Sequence, residues 1–264
     1  MIKNTRCAIV IPARLSSTRL SEKLLRTAGG KSILQHTYES AVASSIADQV
    51  VVAVDHQRLA DEVTSFGGTF VMTSRDCASG TDRIAEVARQ MQEVDLFVNV
   101  QGDEPEIEPQ SIDVVAQALL ASPEAMMSTV GTPIRDRDVL EDPSNVKIVL
   151  GEDKTIANRA GQGRAVYFSR SVVPHVRDGI TQSVLQAEPP YFWHHLGLYA
   201  YRREFLEWFA NQPPSFLEKA ERLEQLRALE AGKVIVVARV DSATPGIDTQ
   251  ADLDAFVARL ESRK

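Results

Sequence analysis

Cysteine is nearly absent: Cys7 and Cys77 are the two in 264 residues. That is too few for a disulfide framework and matches no metal-ligand spacing, so a reducing, cytoplasmic compartment is the simplest expectation. Basic residues are outnumbered, 29 Lys and Arg against 36 Asp and Glu, for a formal charge of −7. This excludes the wide basic face that a nucleic acid or an anionic membrane surface requires, so any phosphate site has to be local. Glycine (14) and proline (12) are too sparse and aperiodic for collagen, mucin-like or repeat architectures. Long apolar runs are missing too. The run Cys7–Ile11 is stopped by Pro12, far short of a signal-peptide core, and nothing approaches a membrane span. What remains, 44% hydrophobic and 25% charged residues, is the balance of a chain that folds around a core.

Short β-rich runs alternate with helical patterns through the first half. Cys7–Ile11, Val50–Val54, Thr69–Met72 and Leu96–Val100 read as strands buried on both faces. Between them, Ile33, Leu34, Thr37, Tyr38 and Ala41 recur at helical spacing behind Ser32, Leu59 and Val63 follow Asp55, and Ile84, Val87, Ala88 and Met91 follow Thr81. Such β-α alternation predicts an α/β fold with a mostly parallel central sheet. Beyond Pro133 the pattern loosens into strand-like Val146–Leu150, Ala165–Phe168, Leu196–Tyr201 and Val234–Val240, a helical Phe216–Ala231 and a final helix after Thr249. No linker separates the halves, which predicts a single domain over 1–264 with a smaller lobe drawn mainly from about 133–232. The polar stretch Val176–Pro190, without a clear period, reads as a mobile loop.

In an open α/β sheet, ligands bind beyond the carboxyl ends of the strands. After the first strand, Arg14, Arg19, Lys23, Arg26 and Lys31 set five cations against one acid, Glu22, with serines and threonines interleaved. Such a loop is either a solvated surface or a polyphosphate cradle, in which arginine forks, a lysine point charge and backbone N–H groups meet phosphate oxygens. Gly30-Lys31-Ser32 is not a P-loop, because Leu25 stands where its first glycine is required. After the fourth strand, Asp103 in Gln101-Gly102-Asp103-Glu104-Pro105 is placed to hold a hard cation such as Mg²⁺ together with phosphates. Asp248, before the last helix, reads first as an N-cap and second as a further metal ligand. Ser79-Gly80-Thr81-Asp82-Arg83 is a small turn at a helix start, suited to a flat base or an anion.

Taken in order, Ile11-Pro-Ala-Arg14, Ser17-Thr-Arg-Leu20 with Lys23, Ser79-Gly-Thr-Asp-Arg83, Asn99-Val-Gln-Gly-Asp-Glu-Pro105, Phe168-Ser-Arg170, His195-Leu-Gly-Leu-Tyr199, Leu223-Glu-Gln-Leu-Arg227 and Gly246-Ile-Asp-Thr249 make the chain resemble the CMP-Kdo synthetase (3-deoxy-manno-octulosonate cytidylyltransferase) family over nearly its whole length. The resemblance implies a three-layer, nucleotide-diphospho-sugar transferase-like fold with a dimerisation and sugar-binding lobe, CTP and Kdo as substrates, Mg²⁺ as cofactor, and a cytoplasmic homodimer serving lipopolysaccharide synthesis. It assigns Arg14, Arg19 and Lys23 to the CTP phosphates, Ala13, Ser79, Gly80 and Gln101 to the nucleotide, and Asp103 and Asp248 to magnesium. Arg170, His195, Tyr199, Glu224 and Gln225 fall in the sugar-acid pocket, with Arg170 the natural partner of a carboxylate. His195 and Tyr199, four apart in a strand, share one face, whereas His194 points the other way.

The chain departs from the family pattern where Leu20-Ser-Glu-Lys-Leu-Leu25 replaces Leu-Pro-Gly-Lys-Pro-Leu, losing two prolines and a glycine and placing Glu22 beside Lys23. Glu22 weakens triphosphate binding if it points inward. The implied reaction is attack of the Kdo anomeric hydroxyl on the α-phosphorus of CTP, releasing pyrophosphate. Its alternatives are the same transfer to 8-amino-Kdo or a sialic-acid-like keto acid, and a non-catalytic nucleotide-sugar sensor on the same fold.

Overall fold

A computed structural model describes residues 5–17, 19–151 and 162–263; Thr18, of the Ser17–Leu20 motif, lies outside the described residues. The chain divides into two compact units. One takes the residues up to Ala116, Ala200–Ala210 and those from Thr244 onward; the other takes Gln117–Tyr199 and Asn211–Ala243.

The first unit runs through β1 (Cys7–Ala13), a single 3₁₀ turn (Lys23–Leu25), β2 (Thr27–Ala28), β3 (Lys31–Ser32), α1 (Ile33–Val42), β4 (Gln49–Val54), α2 (Gln57–Ser65), β5 (Phe70–Met72), α3 (Gly80–Gln90) and β6 (Leu96–Asn99). Its strands lie in the order β5-β4-β1-β6, all parallel, with Ile9 opposite both Val50 and Val98. Ala8, Ile9, Val10 and Ile11 are fully buried, as unbroken apolar runs in a sheet covered on both faces must be. Ser32 caps α1 by accepting from the Gln35 N–H, and Ser79 caps α3 by accepting from the Asp82 N–H. Gly29 and Gly30, at φ 58° and 86°, make the two-residue turn between β2 and β3.

After α4 (Pro109–Leu120) come β7 (Met127–Pro133), α5 (Arg137–Glu141), β8 (Lys147–Gly151), β9 (Gln162–Ser169), α6 (Gln182–Leu185) and β10 (Trp193–Arg202). Then follow α7 (Arg203–Ala210), α8 (Phe216–Glu221), α9 (Gln225–Glu230), β11 (Ile235–Arg239) and α10 (Gln250–Ser262). In the second unit the expectation of a mostly parallel sheet fails. There β7 and β11 are parallel, but β11 with β9, β9 with β8 and β8 with β10 are antiparallel. A parallel pair needs a long crossover, and the one helix described between β8 and β10 has four residues. The fold is α/β, with a parallel sheet in one unit and mixed pairing in the other.

Two further expectations are corrected. The helical stretch Phe216–Ala231 breaks into α8 and α9 because Arg222 takes a left-handed conformation, φ 56°. The two pieces are tied by a buried pair, Arg227 Nε donating to Glu218 Oε2 at 2.7 Å. The stretch Val176–Pro190 is packed: Val172, Val176, Ile180 and Val184 lie against Ile134, Leu140, Leu185 and Phe192. Arg135 Nη1 also donates to the carbonyls of Leu185 and Ala187 at 2.9 and 2.7 Å. A four-residue apolar period hidden among polar neighbours anchors this loop. Among the described residues no helix is long and apolar enough to cross a membrane.

Candidate functional site

Two aspartates far apart in sequence meet beyond the carboxyl ends of β1 and β6. Gly102 makes the approach possible, since a Cβ there would stand 3.0 Å from the Pro12 carbonyl oxygen. Thr37 Oγ1 fixes the turn by donating to the Gly102 carbonyl at 3.1 Å. The Ile247 N–H then donates to the Asp103 carbonyl at 2.8 Å, drawing the segment before α10 alongside. Thr249, not Asp248, caps α10: its side chain accepts from the Asp252 N–H, and the Asp252 carboxylate accepts from the N–H groups of Asp248 and Thr249. The N-cap expectation for Asp248 is thus wrong by one residue, and its carboxylate is left for another task.

That task is shared with Asp103 through one ammonium. Lys23 Nζ donates to Asp103 Oδ2 at 2.5 Å and to Asp248 Oδ1 at 2.9 Å, so the two carboxylate oxygens are no more than 5.4 Å apart. Arg19 Nη2 adds a contact of 2.8 Å to Asp248. Burial opposes the charge on Lys23, but Asp103 and then Asp248 outweigh it, and the ammonium is held above its ordinary range. Lys23 begins the 3₁₀ turn, whose Leu24 is buried. Just before it Glu22 adopts φ 51° and turns its carboxylate to Arg58 on α2, with Oε2 2.8 Å from Nη2. Its charge is thereby paired with Arg58 rather than left facing Lys23. Next to Asp103, burial and then the Asp103 charge push Glu104 up to about 8.

The other nucleotide-side residues are arranged differently. Ala13 is buried at the end of β1. Arg14 does not join the carboxylates; its Nη2 donates to the Cys77 carbonyl at 2.9 Å, which ties it to the segment leading into Ser79 and Gly80. The Leu15 N–H is held by Asp55 Oδ1 at 3.0 Å, and Asp55 in turn faces the fully buried Arg83 at 3.4 Å. Ser79 is engaged as a helix cap, while a side chain at Gly80 would meet open space. Gln101, half-buried, accepts the Glu104 N–H at its carbonyl. A cavity of about 560 Å³ opens beside this loop, lined by residues that include Ser16, Ser17, Asp55, His56 and Arg75.

The predicted sugar-acid residues lie in the second unit. His195 is buried; burial and then the His194 charge push its pKa down to about 3. Its ring stands edge-on to Phe168 at 5.0 Å and 5.3 Å from Tyr199, on the same strand face. Tyr199 Oη donates to Gln225 Oε1 at 3.5 Å, and Gln225 Nε2 is 3.5 Å from His195 Nδ1. Arg170 is held by backbone, its Nε donating to the Glu221 carbonyl at 2.9 Å and its Nη1 to that of Pro143 at 3.1 Å. Glu224 occupies the N-cap position of α9 without a side-chain cap bond. His194 is lowered by burial and then by Lys147. Two residues that sequence reading missed organise this group. Glu221 accepts from Ser169 Oγ at 2.6 Å and from the Arg170 N–H at 3.0 Å, and Thr129 Oγ1 lies 3.1 Å from His195 Nε2. With Ser128 and Thr132 also in β7, nothing in the sequence singles out Thr129.

Among the described residues no three or more of His, Cys, Asp and Glu gather into a metal cluster. The donor set at Asp103 and Asp248 nevertheless suits Mg²⁺, which takes one or two carboxylates and completes its shell with phosphates and water. The two carboxylates also already share a cationic group in Lys23.

A family model described as Cytidylyltransferase matches residues 8–242. A 3-deoxy-manno-octulosonate cytidylyltransferase of Rhodopirellula baltica is 60% identical over 258 residues, covering 98% of this chain and 100% of that protein. Its counterpart in Geotalea daltonii is 41% identical over 257 residues, covering 96% and 98%. Among solved structures, a CMP:2-keto-3-deoxy-manno-octonic acid synthetase complexed with CTP superposes with TM-score 0.88 at 36% identity, covering 98% of this chain and all of that one. A 4-diphosphocytidyl-2C-methyl-D-erythritol synthase of Anaerococcus prevotii, at TM-score 0.62 and 13% identity, shares the fold alone, covering 98% and 100%.

Proposed function

From the premise that this chain belongs to the cytidylyltransferase family, we propose that it transfers the cytidylyl group of CTP to the anomeric hydroxyl of Kdo. The products are CMP-Kdo and pyrophosphate. Identity extending along the whole chain to a Kdo cytidylyltransferase carries this reading.

The Kdo hydroxyl gives up its proton to solvent as its oxygen forms a bond to the α-phosphorus, the bond from that phosphorus to the oxygen bridging to the β-phosphate breaks, and charge moves onto the leaving pyrophosphate. Arg14, Arg19 and Lys23 stabilise that charge as it redistributes, since cations aimed at developing charge act most strongly in a site that excludes water. Asp103 and Asp248 are the residues to hold Mg²⁺, supported by their shared contact with Lys23. When bound, Mg²⁺ supplies charge neutralisation on phosphate oxygens and lowers the pKa of an attacking hydroxyl. As the nucleotide enters, Lys23 exchanges its carboxylate partners for phosphate oxygens. Ala13, Ser79, Gly80 and Gln101 surround the nucleoside. In the second unit, Arg170 takes the sugar carboxylate while His195, Tyr199, Glu224 and Gln225 take its hydroxyls.

The same reading includes a three-layer nucleotide-diphospho-sugar transferase-like fold acting as one domain, a cytoplasmic setting, a role in lipopolysaccharide synthesis and a homodimer. Apolar surface for a second copy is supported by Phe216 and Val166, which are 78% and 56% exposed.

Pyrophosphate release with CTP and Mg²⁺ across a panel of Kdo, 8-amino-Kdo and sialic acids tests the function. The expected result is turnover with Kdo well above the others. Preference for another acid reassigns the substrate, and silence with all of them favours a nucleotide-sugar sensor.

A further inference from the structure

Thr129 takes no part in the chemistry described so far, yet it is fully buried at the centre of β7 with its hydroxyl among three polar atoms. Thr129 Oγ1 lies 2.9 Å from the Leu198 carbonyl oxygen, 3.2 Å from that of Leu196 and 3.1 Å from His195 Nε2. A hydroxyl has one hydrogen and two lone pairs. The carbonyls can only accept, so the Thr129 hydrogen goes to one of them, and a lone pair is left facing the imidazole. His195 Nε2 must then carry the hydrogen between them. On the far edge of the ring, Nδ1 faces the Gln225 amide nitrogen, a donor, and the Gln225 amide oxygen faces Tyr199 Oη. All the donors point one way: Tyr199 to Gln225, Gln225 to His195, His195 to Thr129 and Thr129 to the backbone of β10. The opposite tautomer requires the Gln225 amide to turn over, reversing every donor on that side, and turns the Thr129 hydroxyl away from both carbonyls.

We infer that Thr129 is a positioning residue that locks His195 as the neutral Nε2–H tautomer, so that Nδ1 holds the Gln225 amide nitrogen, Gln225 turns its oxygen to Tyr199, and the half-buried Tyr199 hydroxyl, its hydrogen directed at Gln225, presents its oxygen as an acceptor on that edge of the group. The ligand such an edge recognises is a hydroxyl donor, as on a polyhydroxylated sugar acid. A ring free to exchange tautomers lets the Gln225 amide turn over and the Tyr199 hydroxyl swing its hydrogen outward, and discrimination between a hydroxyl and an acceptor group is lost. This inference rests on the assignment of His195 to the sugar-acid pocket and adds the residue that sets its polarity.

The test uses the full-length protein with ¹⁵N-labelled histidine, the His195 signals being identified by their absence in His195→Ala. In the wild type, Nδ1 should show the shift of an unprotonated imidazole nitrogen and Nε2 that of a protonated one, without change between pH 6 and 8. Thr129→Val, which keeps the shape and removes the hydroxyl, should give averaged shifts and raise KM for Kdo about tenfold. KM for CTP should stay unchanged, and Thr129→Ser should restore both the shifts and the Kdo KM. A wild-type ring with its hydrogen on Nδ1, or a Thr129→Val protein with wild-type shifts, overturns the inference. If Thr129→Val leaves KM for Kdo unmoved while His195→Ala raises it, the positioning role falls and the pocket assignment survives. If neither variant moves it, the pocket assignment itself has failed.

Discussion

The carboxylates of Asp103 and Asp248 converge on one ammonium, so that a cation already stands where the two chain segments meet. Lys23 holds the pair together in the absence of nucleotide. Lys23→Met should therefore cost about 1 kcal/mol of stability, a modest figure because both carboxylates keep substantial solvent contact. Mg²⁺ should then raise the melting temperature of Lys23→Met more than that of the wild type, as the divalent ion takes over the vacated role. Equal responses in the two proteins place the ion elsewhere.

Glu22 and Arg58 fasten the loop that carries Lys23. This pair lies at the surface and contributes by restricting the loop, doing the work that prolines do by limiting unfolded conformations. Arg58→Ala should raise KM for CTP about threefold with kcat retained, and added salt should erase the difference from the wild type. A fall in kcat alone contradicts a role confined to the loop.

Much of this was legible from residue order. The strands β1, β4 and β6 announced themselves as compact Val-bearing runs because a sheet buried on both faces admits little else, whereas β5, read in the same way, is the edge strand and leaves Phe70 and Met72 exposed. Asp103, Lys23 and the basic loop stood out as charge at strand ends. The rest was hidden for physical reasons. Asp248 looked like a cap because aspartate so often is one, and only the Thr249–Asp252 exchange shows which residue has that job. The break between α8 and α9 depends on Arg222 at positive φ, which no apolar stripe reveals. Thr129 and Glu221 act on partners 66 and 51 or more positions away, a relation that only the folded backbone defines.

His195 links the second unit to pH. Its folded pKa of about 3 lies below the ordinary 6.5, so the unfolded chain binds the extra proton between these values. Stability must fall as pH drops through that window. Between pH 6.5 and 5, before most carboxylates titrate, the loss attributable to this ring is about 1.5 kcal/mol. Urea unfolding of His195→Gln should show a shallower decline over the same interval; a parallel decline assigns the effect to other groups.

Glu221 receives both Ser169 Oγ and the Arg170 N–H, and its own carbonyl accepts from the Arg170 side chain. Glu221→Ala should loosen Arg170 and raise KM for Kdo by roughly 5- to 10-fold, the scale of a lost hydrogen bond to a charged group, leaving KM for CTP unchanged. Steady-state titration of each substrate against the other distinguishes this from a general loss of fold, which lowers kcat and active fraction alike.

The most direct measurement is made on Asp248→Asn, which keeps size and removes one negative charge from the pair on Lys23. Equilibrium binding of CTP and the single-turnover rate of pyrophosphate release with saturating CTP and Kdo are read on the same preparation. The predicted result is a CTP dissociation constant within about threefold of the wild type and a rate at least about 100-fold lower, the signature of an interaction made in the transition state. Lost CTP affinity with an undiminished rate would contradict it.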